Sequence, residues 1–350
     1  MSRKYKVVSI VPAHNEEKTI RQTIESLVFQ TQPLVVIVAA DNCTDKTVQI
    51  VKELEKEHSS VKLFITKNNS RKKAGAINQV IEQIKISGVD IDAILLMDAD
   101  TRIAQEAVQK GYARLLSDNN LAAICSRAGV IPYKGKNPFK WILYQLQRLE
   151  YASFDTQRIE TLGRIKVVHG MCGLHRWSAF KEVNGFNDSI VEDYDLTIKY
   201  KEAGYKVSFE PSMRAWTNVP TTLREWWRQR LRWHRGGIDT LRRYGWNNTT
   251  RMEIIQHFWV NFLMIFQFYF LVVLILMLIQ GTLVMHGIVL AVMLLGLIEN
   301  LYRLKYLEDR KLVDYLFRII LIPEMLYGLL NSINLYNSYY LSFFKKEQNW

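Results

Sequence analysis

The stretch AILLMDADT, residues 93–101, decides how the first half of the chain is interpreted. Its apolar part, residues 93–97, predicts a buried strand, and two carboxylates two residues apart, Asp98 and Asp100, follow directly. In an extended segment, residues i and i+2 point to the same side, so both carboxylates would face one hard cation. Magnesium or manganese (Mg2+ or Mn2+) held by carboxylates and substrate phosphates is the arrangement expected of such a pair. The stretch therefore predicts a nucleotide–metal site at the end of a strand.

Working outward, similar β-branched runs alternate with helical patterns. The predicted strands are 6–11, 34–40, 61–66, 93–97 and 122–125, and the predicted helices are 17–31, 44–57, 74–87 and 104–116. This alternation predicts an α/β fold, a doubly wound and mostly parallel sheet whose nucleotide half is Rossmann-like. Ligands of such sheets bind beyond the carboxyl ends of the strands, so the residues that follow each strand are candidates for chemistry.

Polar groups follow the earlier strands as well. VPAHNEE (11–17) follows the first strand and ADNCTDKT (40–47) the second, where helix capping accounts for Thr44 or Asp45 but not for Asp41. NNSRKKAGAIN (68–78) follows the third, and its basic run opposes the helix dipole unless an anion is held there. A solvated turn is the alternative. Neither GxGxxG nor GxxxxGK[ST] occurs, which argues against a dinucleotide site and a P-loop.

Two later stretches carry further candidates. VVHGMCGLHRW (167–177) predicts a strand that ends in glycine-rich backbone, where a ligand approaches closely. The residues after it place Glu192, Asp193 and Asp195 in the first turn of an amphipathic helix. Acidic residues there complement the helix dipole, which accounts for Asp195. The adjacent pair, Glu192 and Asp193, alternatively supplies a general base.

The composition changes near residue 254. We predict three regions: a domain over 1–220, amphipathic interfacial helices over 221–253, and a transmembrane region over 254–350 with spans near 258–279, 281–299 and 319–343. Lys and Arg precede the first span and lie between the second and third, which predicts a cytosolic first domain. The protein is thus expected to be an integral membrane protein, with the plasma membrane as its location.

The net charge and the cysteines narrow the possible partners and the class of protein. The net charge of +12 fits nucleic acid, an anionic membrane or phosphate-bearing substrates as partners. Because the arginines concentrate beside the predicted spans, we expect membrane lipids and no nucleic acid. The three cysteines are widely spaced and contain no CxxC pair, which argues against a disulfide scaffold or a zinc site.

The stretch WWRQRLRWHRGG, residues 226–237, directly precedes the predicted membrane region. An interfacial amphipathic helix is the simplest interpretation, with tryptophans in the headgroup layer and arginines near lipid phosphate. On a helical period Trp226, Arg230 and Trp233 share one face, whereas Arg228 and Arg235 point away from it.

The ordered set PAHNEE, ADNCTD, KKAGAIN, MDADT, VED and QRLRW resembles the inverting family-two glycosyltransferases with a GT-A fold. It is most similar to the membrane-integrated branch that includes cellulose, chitin, hyaluronan and poly-N-acetylglucosamine synthases. The resemblance covers roughly residues 5–245 and includes the habit of placing spans after the catalytic domain. Here the acidic triplet begins with Val191, and no span precedes the domain, unlike in the larger synthases. We therefore do not expect one chain alone to synthesise a polymer processively and secrete it; this would need an oligomer or a partner subunit.

The resemblance implies roles for individual residues. Asp193 would be the catalytic base, and Asp98 and Asp100 the metal ligands. The residues implied in binding the nucleotide sugar are Ala13, His14, Asn15, Glu16, Asp41, Lys73, Asp98, Ala99, Asp100, Gln229 and Arg232. Those implied in binding the acceptor are Cys172, Gly173, Glu192 and Trp233.

The resemblance implies transfer of a sugar from a UDP-sugar, UDP-N-acetylglucosamine or UDP-glucose, to a growing polysaccharide through a β-linkage. Single-sugar transfer to a membrane lipid acceptor is the alternative that a small number of spans favours. A non-catalytic, membrane-anchored module that binds sugar nucleotides is a second alternative.

Overall fold

A computed structural model describes residues 6–160, 165–280, 287–320 and 322–345. The chain forms two compact units, Met1–Thr221 and Thr222–Trp350. The boundaries expected from the sequence after residues 220 and 253 stay a prediction.

The first unit contains strands and helices in alternation. The strands are β1 (Val7–Ala13), β2 (Leu34–Ala40), β3 (Val61–Ile65), β4 (Ala93–Met97), β5 (Arg102–Ile103), β6 (Leu121–Val130), β7 (Cys172–Arg176) and β8 (Lys206–Thr217). The helices are α1 (Ile20–Val28), α2 (Thr47–Glu57), α3 (Lys72–Ser87), α4 (Ala107–Leu116), α5 (Pro138–Glu160), α6 (Trp177–Glu182) and α7 (Glu192–Glu202).

Within the residues described, the eight strands form one sheet in the order β3-β2-β1-β4-β7-β6-β8-β5. The first four are parallel, as predicted for the nucleotide half. The other half is mixed, which corrects the prediction in part: β6 and β8 are parallel, but β7 runs antiparallel to both β4 and β6, and β5 is antiparallel to β8. The sheet is therefore mixed. An apolar strand pattern is the same in either direction, so the sequence of β7 carries no sign of its reversal.

The reversal of β7 also corrects the interpretation of residues 167–177. The glycine-rich segment precedes the strand instead of ending it, since β7 covers only Cys172–Arg176. Cys172 pairs with Met97 at the end of β4, and the backbone N–H of Asp98 donates to the carbonyl of Met171 at 3.0 Å. The antiparallel direction thus brings the residues before β7 to the carboxyl end of β4.

Apolar side chains cover both faces of the sheet. Along β4, Leu95 and Met97 join one buried cluster, whereas Ile94 and Leu96 join the other. This alternation is the period of two expected of a strand buried on both sides. The two clusters fix β4, and with it the position of the acidic residues that follow.

The second unit is helical over the residues described. Its helices are α8 (Leu223–Tyr244), α9 (Arg251–Ile279), α10 (Gly287–Tyr302), α11 (Leu312–Ile319) and α12 (Ile322–Phe344), with a 3-10 turn at Arg303–Tyr306. Of the predicted spans, 281–299 begins with residues outside those described. Within the described ranges no single helix is long and apolar enough to cross a membrane. Helices α11 and α12, which are bent by 67° relative to each other, meet the length and hydropathy criteria only when they are taken together.

Candidate active site

The carboxyl ends of three neighbouring strands form the candidate active site of the first unit. β1 lies between β2 and β4, and all three are parallel, so the residues that follow them leave the sheet at one edge. The backbone N–H of Asp41, after β2, donates to the carbonyl of Ala13 at the end of β1 (2.8 Å). The topology thereby brings together side chains that are far apart in the sequence.

Hydrogen bonds with neighbouring polar groups fix the position of Asp41. Its buried carboxylate accepts a 2.7 Å hydrogen bond from the Thr66 hydroxyl, and its carbonyl lies 2.7 Å from Nδ1 of His14. Asn15 adopts a left-handed φ of 57°, and its side-chain oxygen accepts from the backbone N–H of Thr44 at 2.7 Å. Asparagine tolerates that conformation better than most residues. These hydrogen bonds connect the loops that follow β1 and β2, which contain several of the residues predicted to bind the nucleotide sugar.

Asp98 and Asp100 lie on a turn, which corrects the expectation of an extended segment. The backbone N–H of Thr101 donates to the carbonyl of Asp98 at 3.1 Å, which closes the turn. Between the two carboxylates, Ala99 is buried, and its carbonyl accepts from the Thr23 hydroxyl of α1 at 2.8 Å. The turn, anchored from below by α1, sets the position of both carboxylates.

The surroundings of this turn are acidic. Burial, and then the charges of Asp98 and Glu16, raise the pKa of Asp100 to about 7, although the Thr217 hydroxyl donates to it at 3.1 Å. Burial likewise raises the pKa of Glu16, with Asp98 adding to the effect. A divalent cation would relieve this crowding of negative charge.

The donor set suits a hard cation only in part. The side chains supply oxygen ligands, as magnesium and manganese prefer. Among the described residues, however, no three His, Cys, Asp or Glu side chains are arranged to hold a metal ion by themselves. The protein groups therefore fit an ion that also takes ligands from its substrate.

Lys73 connects the acidic turn to the helix α7. Its ammonium lies 2.6 Å from Oδ1 of Asp98 and 3.0 Å from Oε1 of Glu192, and it donates to the carbonyl of Gly170 at 3.3 Å. Burial alone would lower its pKa, but Asp98 and Glu192 raise the pKa of Lys73 above its ordinary value. The two carboxylates therefore favour the charged form of the ammonium. The basic run 71–73 is not simply a solvated turn, since this lysine points into the site.

Asp193 lies next to this ion pair. Its Oδ2 accepts a 2.7 Å hydrogen bond from the backbone N–H of Gly170, and its Oδ1 accepts from the N–H of Tyr194 at 2.8 Å. Burial and the charge of Glu192 raise the pKa of Asp193, against the lowering effect of Lys73. A carboxylate held in this way can accept a proton near neutral pH.

Gly170 is the point where these groups meet. A Cβ atom at this position would lie 2.8 Å from Nζ of Lys73 and 3.3 Å from Oδ2 of Asp193. A side chain here would shift the ammonium of Lys73, which is the flexible end of its side chain. Gly170 therefore lets the backbone pass close to both charged groups.

The two residues predicted to bind acceptor in β7 lie deeper. Cys172 is fully buried within the sheet, and burial raises the pKa of its thiol to about 12. Gly173 pairs with Leu96 of β4 and is also buried. Their role as acceptor ligands stays a prediction, and the groups that reach Asp193 belong to the segment just before them.

Three side chains of the site had no signal in the sequence. Thr66 bonds Asp41, and Thr217 bonds Asp100, yet each is a single threonine outside any motif. His169 places Nε2 2.9 Å from the carbonyl of Ser126, and burial lowers its pKa to about 3, so the neutral ring donates this bond. Only the tertiary fold identifies these partners.

The remaining predicted residues lie on α8 in the second unit. Arg232 is exposed, whereas Gln229 and Trp233 are partly buried. The guanidinium of Arg230 lies 4.3 Å from the centroid of the Trp233 ring, as their common helix face predicts. The expectation that Arg235 points away to lipid phosphate is wrong: it is 5% exposed and donates to the carbonyl of Lys345 at 2.9 Å. Helical periodicity gives relative directions but not which face another helix covers.

Fold and site together define an α/β protein in which acidic groups gather beyond the carboxyl ends of parallel strands, where ligands of such sheets bind. A family model described as Glycosyl transferase family group 2 matches residues 93–301, more than half of the chain. The chain therefore belongs to glycosyl transferase family group 2, and the prediction of a glycosyltransferase is confirmed.

Curated relatives agree with this family. The Probable glycosyltransferase YdaM of Bacillus subtilis (strain 168) is 33% identical over 242 residues, 66% of this chain and 55% of that protein. The poly-beta-1,6-N-acetyl-D-glucosamine synthase of Staphylococcus aureus (strain COL) is 28% identical over 242 residues, 68% of this chain and 56% of that protein. The aligned part of the chain thus spans about half the length of these relatives.

A solved structure supports the fold. The mannosyltransferase PcManGT from Pyrobaculum calidifontis, in complex with GDP-Man and Mn2+, has a TM-score of 0.59 and 15% sequence identity. The similarity covers 99% of this chain and 89% of that one. It confirms the predicted GT-A-like α/β fold, in the form of a mixed sheet.

Proposed function

We propose that this chain is an inverting glycosyltransferase that transfers a sugar from a UDP-sugar to a growing polysaccharide and forms a β-linkage. The observation that carries the proposal is the contact of Lys73 with both Asp98 and Glu192, beside Asp193. One cation thus joins the carboxylate that follows β4 to the acidic pair of α7. An inverting transfer needs these parts, a cationic donor side and a base, within one site.

In the proposed reaction, Asp193 removes the proton from the acceptor hydroxyl as that oxygen attacks the anomeric carbon. The sugar–phosphate bond breaks on the opposite face, and UDP leaves with the bonding electrons. The hydrogen bond from Gly170 holds Oδ2 of Asp193 in a fixed direction, so little reorganisation is needed. The positive charge of Lys73 stabilises negative charge that develops on the departing diphosphate.

Asp98 and Asp100 are the residues that would hold a magnesium or manganese ion. Such an ion, when bound, supplies positive charge to the diphosphate. The raised pKa of Asp100 supports this assignment, since a buried carboxylate crowded by Asp98 and Glu16 gains from a cation. Manganese in the structure of PcManGT is consistent with the proposal.

The residues assigned to the two substrates follow the resemblance. Asp41, with Ala13, His14, Asn15 and Glu16, binds the nucleoside. Arg232 and Gln229 of α8 bind the diphosphate, for which a planar guanidinium is well suited. Trp233 stacks on the acceptor sugar.

The proposal includes two versions of the acceptor. The name of the poly-beta-1,6-N-acetyl-D-glucosamine synthase supports a polysaccharide acceptor and UDP-N-acetylglucosamine as donor, with UDP-glucose second. The other version is transfer of a single sugar to a membrane lipid. A non-catalytic sugar-nucleotide-binding module is opposed by the intact set of Asp98, Asp100 and Asp193.

We also propose that the protein is integral to the plasma membrane, with its first unit in the cytosol. The support is the distribution of charge, with Lys and Arg before the first predicted span and between the second and third.

The deciding experiment uses the full chain purified in lipid. It is supplied with UDP-N-acetylglucosamine, UDP-glucose or GDP-mannose, with magnesium or manganese, and release of the nucleoside diphosphate and product size are measured. We expect release with a UDP-sugar and a ladder of polymer lengths. A single glycolipid product selects the lipid version instead, and preference for GDP-mannose contradicts the proposed donor.

Asp193→Asn keeps the shape of the side chain and removes its basicity, so transfer should fall by about a thousandfold or more. Asp118→Asn is the matched control, because this carboxylate forms an ion pair with Lys206 (3.3 Å) away from the site. Full activity of Asp193→Asn would overturn the assignment of the base.

A further inference from the structure

The helix α12 carries a polar face that its apolar sequence conceals. Tyr327, Asn334, Ser338 and Ser342 are spaced by seven, four and four residues and therefore share one side of the helix. Asn334 and Ser338 are fully buried. A helix that only anchors the chain in lipid is not expected to bury a polar face, because buried polar groups need hydrogen-bond partners.

The partners of this polar face lie on α8, the helix that carries Gln229, Arg232 and Trp233. The hydroxyl of Tyr327 accepts two hydrogen bonds from α8, from Nε1 of Trp226 at 2.9 Å and from Nη2 of Arg230 at 3.2 Å. One phenol oxygen therefore fixes two side chains of the neighbouring helix.

Asn334 holds α8 one turn further along. Its amide donates to the backbone carbonyl of Trp227 at 2.9 Å, and its oxygen lies 3.2 Å from Nδ1 of His234. Burial lowers the pKa of His234 to about 4, so its ring is neutral and Nδ1–H donates this bond. Further on, Ser342 donates to Asp239 of α8. The contacts advance in the same direction on both helices, which therefore run parallel.

Arg230 transmits the position of Tyr327 to Trp233. Its side chain is only 1% exposed, and its guanidinium lies 4.3 Å from the centroid of the Trp233 ring and 5.9 Å from that of Trp226. A buried guanidinium is costly unless its geometry is well satisfied, so its place between the rings depends on its polar contacts. The orientation of the Trp233 ring thus depends on where Arg230 is held.

We propose that Tyr327 is a positioning residue for acceptor binding, acting through Arg230 on the ring of Trp233. The inference rests on the proposed function, in which Trp233 stacks on the acceptor sugar. It assigns α12 a part in substrate recognition in addition to any anchoring role.

The test uses the full chain in lipid and the variant Tyr327→Phe, which keeps the ring and removes the hydroxyl. UDP release is measured while either the UDP-sugar or a short β-linked oligosaccharide of the donor sugar is varied. We expect the KM for the oligosaccharide to rise by roughly tenfold, the loss expected for one hydrogen bond to a charged group. The KM for the UDP-sugar should stay within about twofold, since Tyr327 bonds Trp226 and Arg230 and neither Gln229 nor Arg232, the residues of α8 assigned to the diphosphate.

Tyr340→Phe is the matched control, an exposed tyrosine of the same helix, and should leave both KM values unchanged. In a Trp233→Phe background, Tyr327→Phe should add little to the acceptor KM, because both changes act on the same ring contact. Equal rises in donor and acceptor KM, or additive effects in the double variant, would show a general structural role and overturn the inference.

If Tyr327→Phe unfolds at the assay temperature, Arg230→Lys takes its place, because it keeps the charge but loses the planar group between the rings. The same rise in acceptor KM alone is expected, and an unchanged acceptor KM overturns the inference. Absence of any transfer by the wild-type chain overturns the proposed function and this inference with it. Transfer by the wild type with an unchanged acceptor KM in Tyr327→Phe overturns the inference alone.

Discussion

At the scale of single residues, Asp100 is an acidic residue of the site whose pKa lies well above its ordinary value. Burial and its neighbours Asp98 and Glu16 raise its pKa from 3.8 to about 7. Below about pH 4 the carboxyl is protonated in both the folded and the unfolded chain. As the pH rises towards 7, the unfolded chain releases a proton that the folded chain retains, so stability falls over this interval and the contribution is lost above it.

The change Asp100→Asn removes this titration, and EDTA in the buffer keeps metal ions away from the site. The neutral amide never bears the buried charge, so the variant should gain free energy of unfolding over the wild type as the pH rises. Between pH 5 and pH 8 this gain should grow by on the order of 2 kcal/mol. Thermal unfolding at several pH values measures it. Glu53→Gln, at an exposed carboxylate of α2, should show no such change, and a pH-independent difference for Asp100→Asn would contradict the shift.

At the scale of elements, the bend between α11 and α12 contains a buried ion pair. Arg318 of α11 lies 2.6 Å from Glu324 of α12, with side-chain exposures of 5% and 17%. The sequence shows Glu324 only as an isolated acid beside Pro323. The fold instead gives it a cationic partner across the break, which explains why an otherwise apolar segment contains a carboxylate.

Glu324→Gln should lower the free energy of unfolding by roughly 3 kcal/mol, because it leaves the buried guanidinium without this carboxylate. Replacing both residues, as Arg318→Met with Glu324→Gln, should restore part of the loss. Chemical unfolding in detergent measures both. The exposed Arg303–Glu299 pair gives the control, since Glu299→Gln should cost under about 0.5 kcal/mol. Equal losses in the two single variants would mean that burial of the first pair has no energetic consequence.

At the scale of the whole molecule, the two units differ in how they are stabilised. Both large hydrophobic clusters of the sheet lie within the first unit. The site residues Asp41, Lys73, Asp98, Asp100 and Asp193 lie there as well. A fragment that ends at the boundary therefore contains both of these clusters, together with the residues assigned to the nucleoside and the metal ion.

We expect residues 1–221 to fold without detergent, unfold cooperatively and bind UDP with manganese, yet catalyse no transfer. The reason for the missing activity is that Gln229, Arg232 and Trp233 are absent from it. Calorimetric titration of UDP measures binding, and Asp41→Ala in the fragment should weaken it by roughly tenfold. A fragment that requires detergent to stay soluble, or that transfers sugar at the full rate, would contradict this division of roles.

The sequence by itself determined where the strands lie and which residues follow them. β2 and β4 have the predicted bounds, and Asp41 and Asp98 follow them directly, because apolar periodicity and strand ends are local properties. Helices α1, α2 and α4 begin three residues later than predicted, since the intervening residues form turns whose bonds, such as that of Asn15 to Thr44, join separate loops.

The tertiary structure alone decided which of these elements became neighbours. The reversal of β7 brings Gly170 to Asp193, and the acidic turn and α7 meet at Lys73. On the helical side, packing turned Arg235 inwards and gave Tyr327 its two donors from α8. The type and the spacing of residues are properties of the sequence itself. The direction of a strand and the covered face of a helix depend instead on contacts between distant segments. These contacts form only when the whole core assembles.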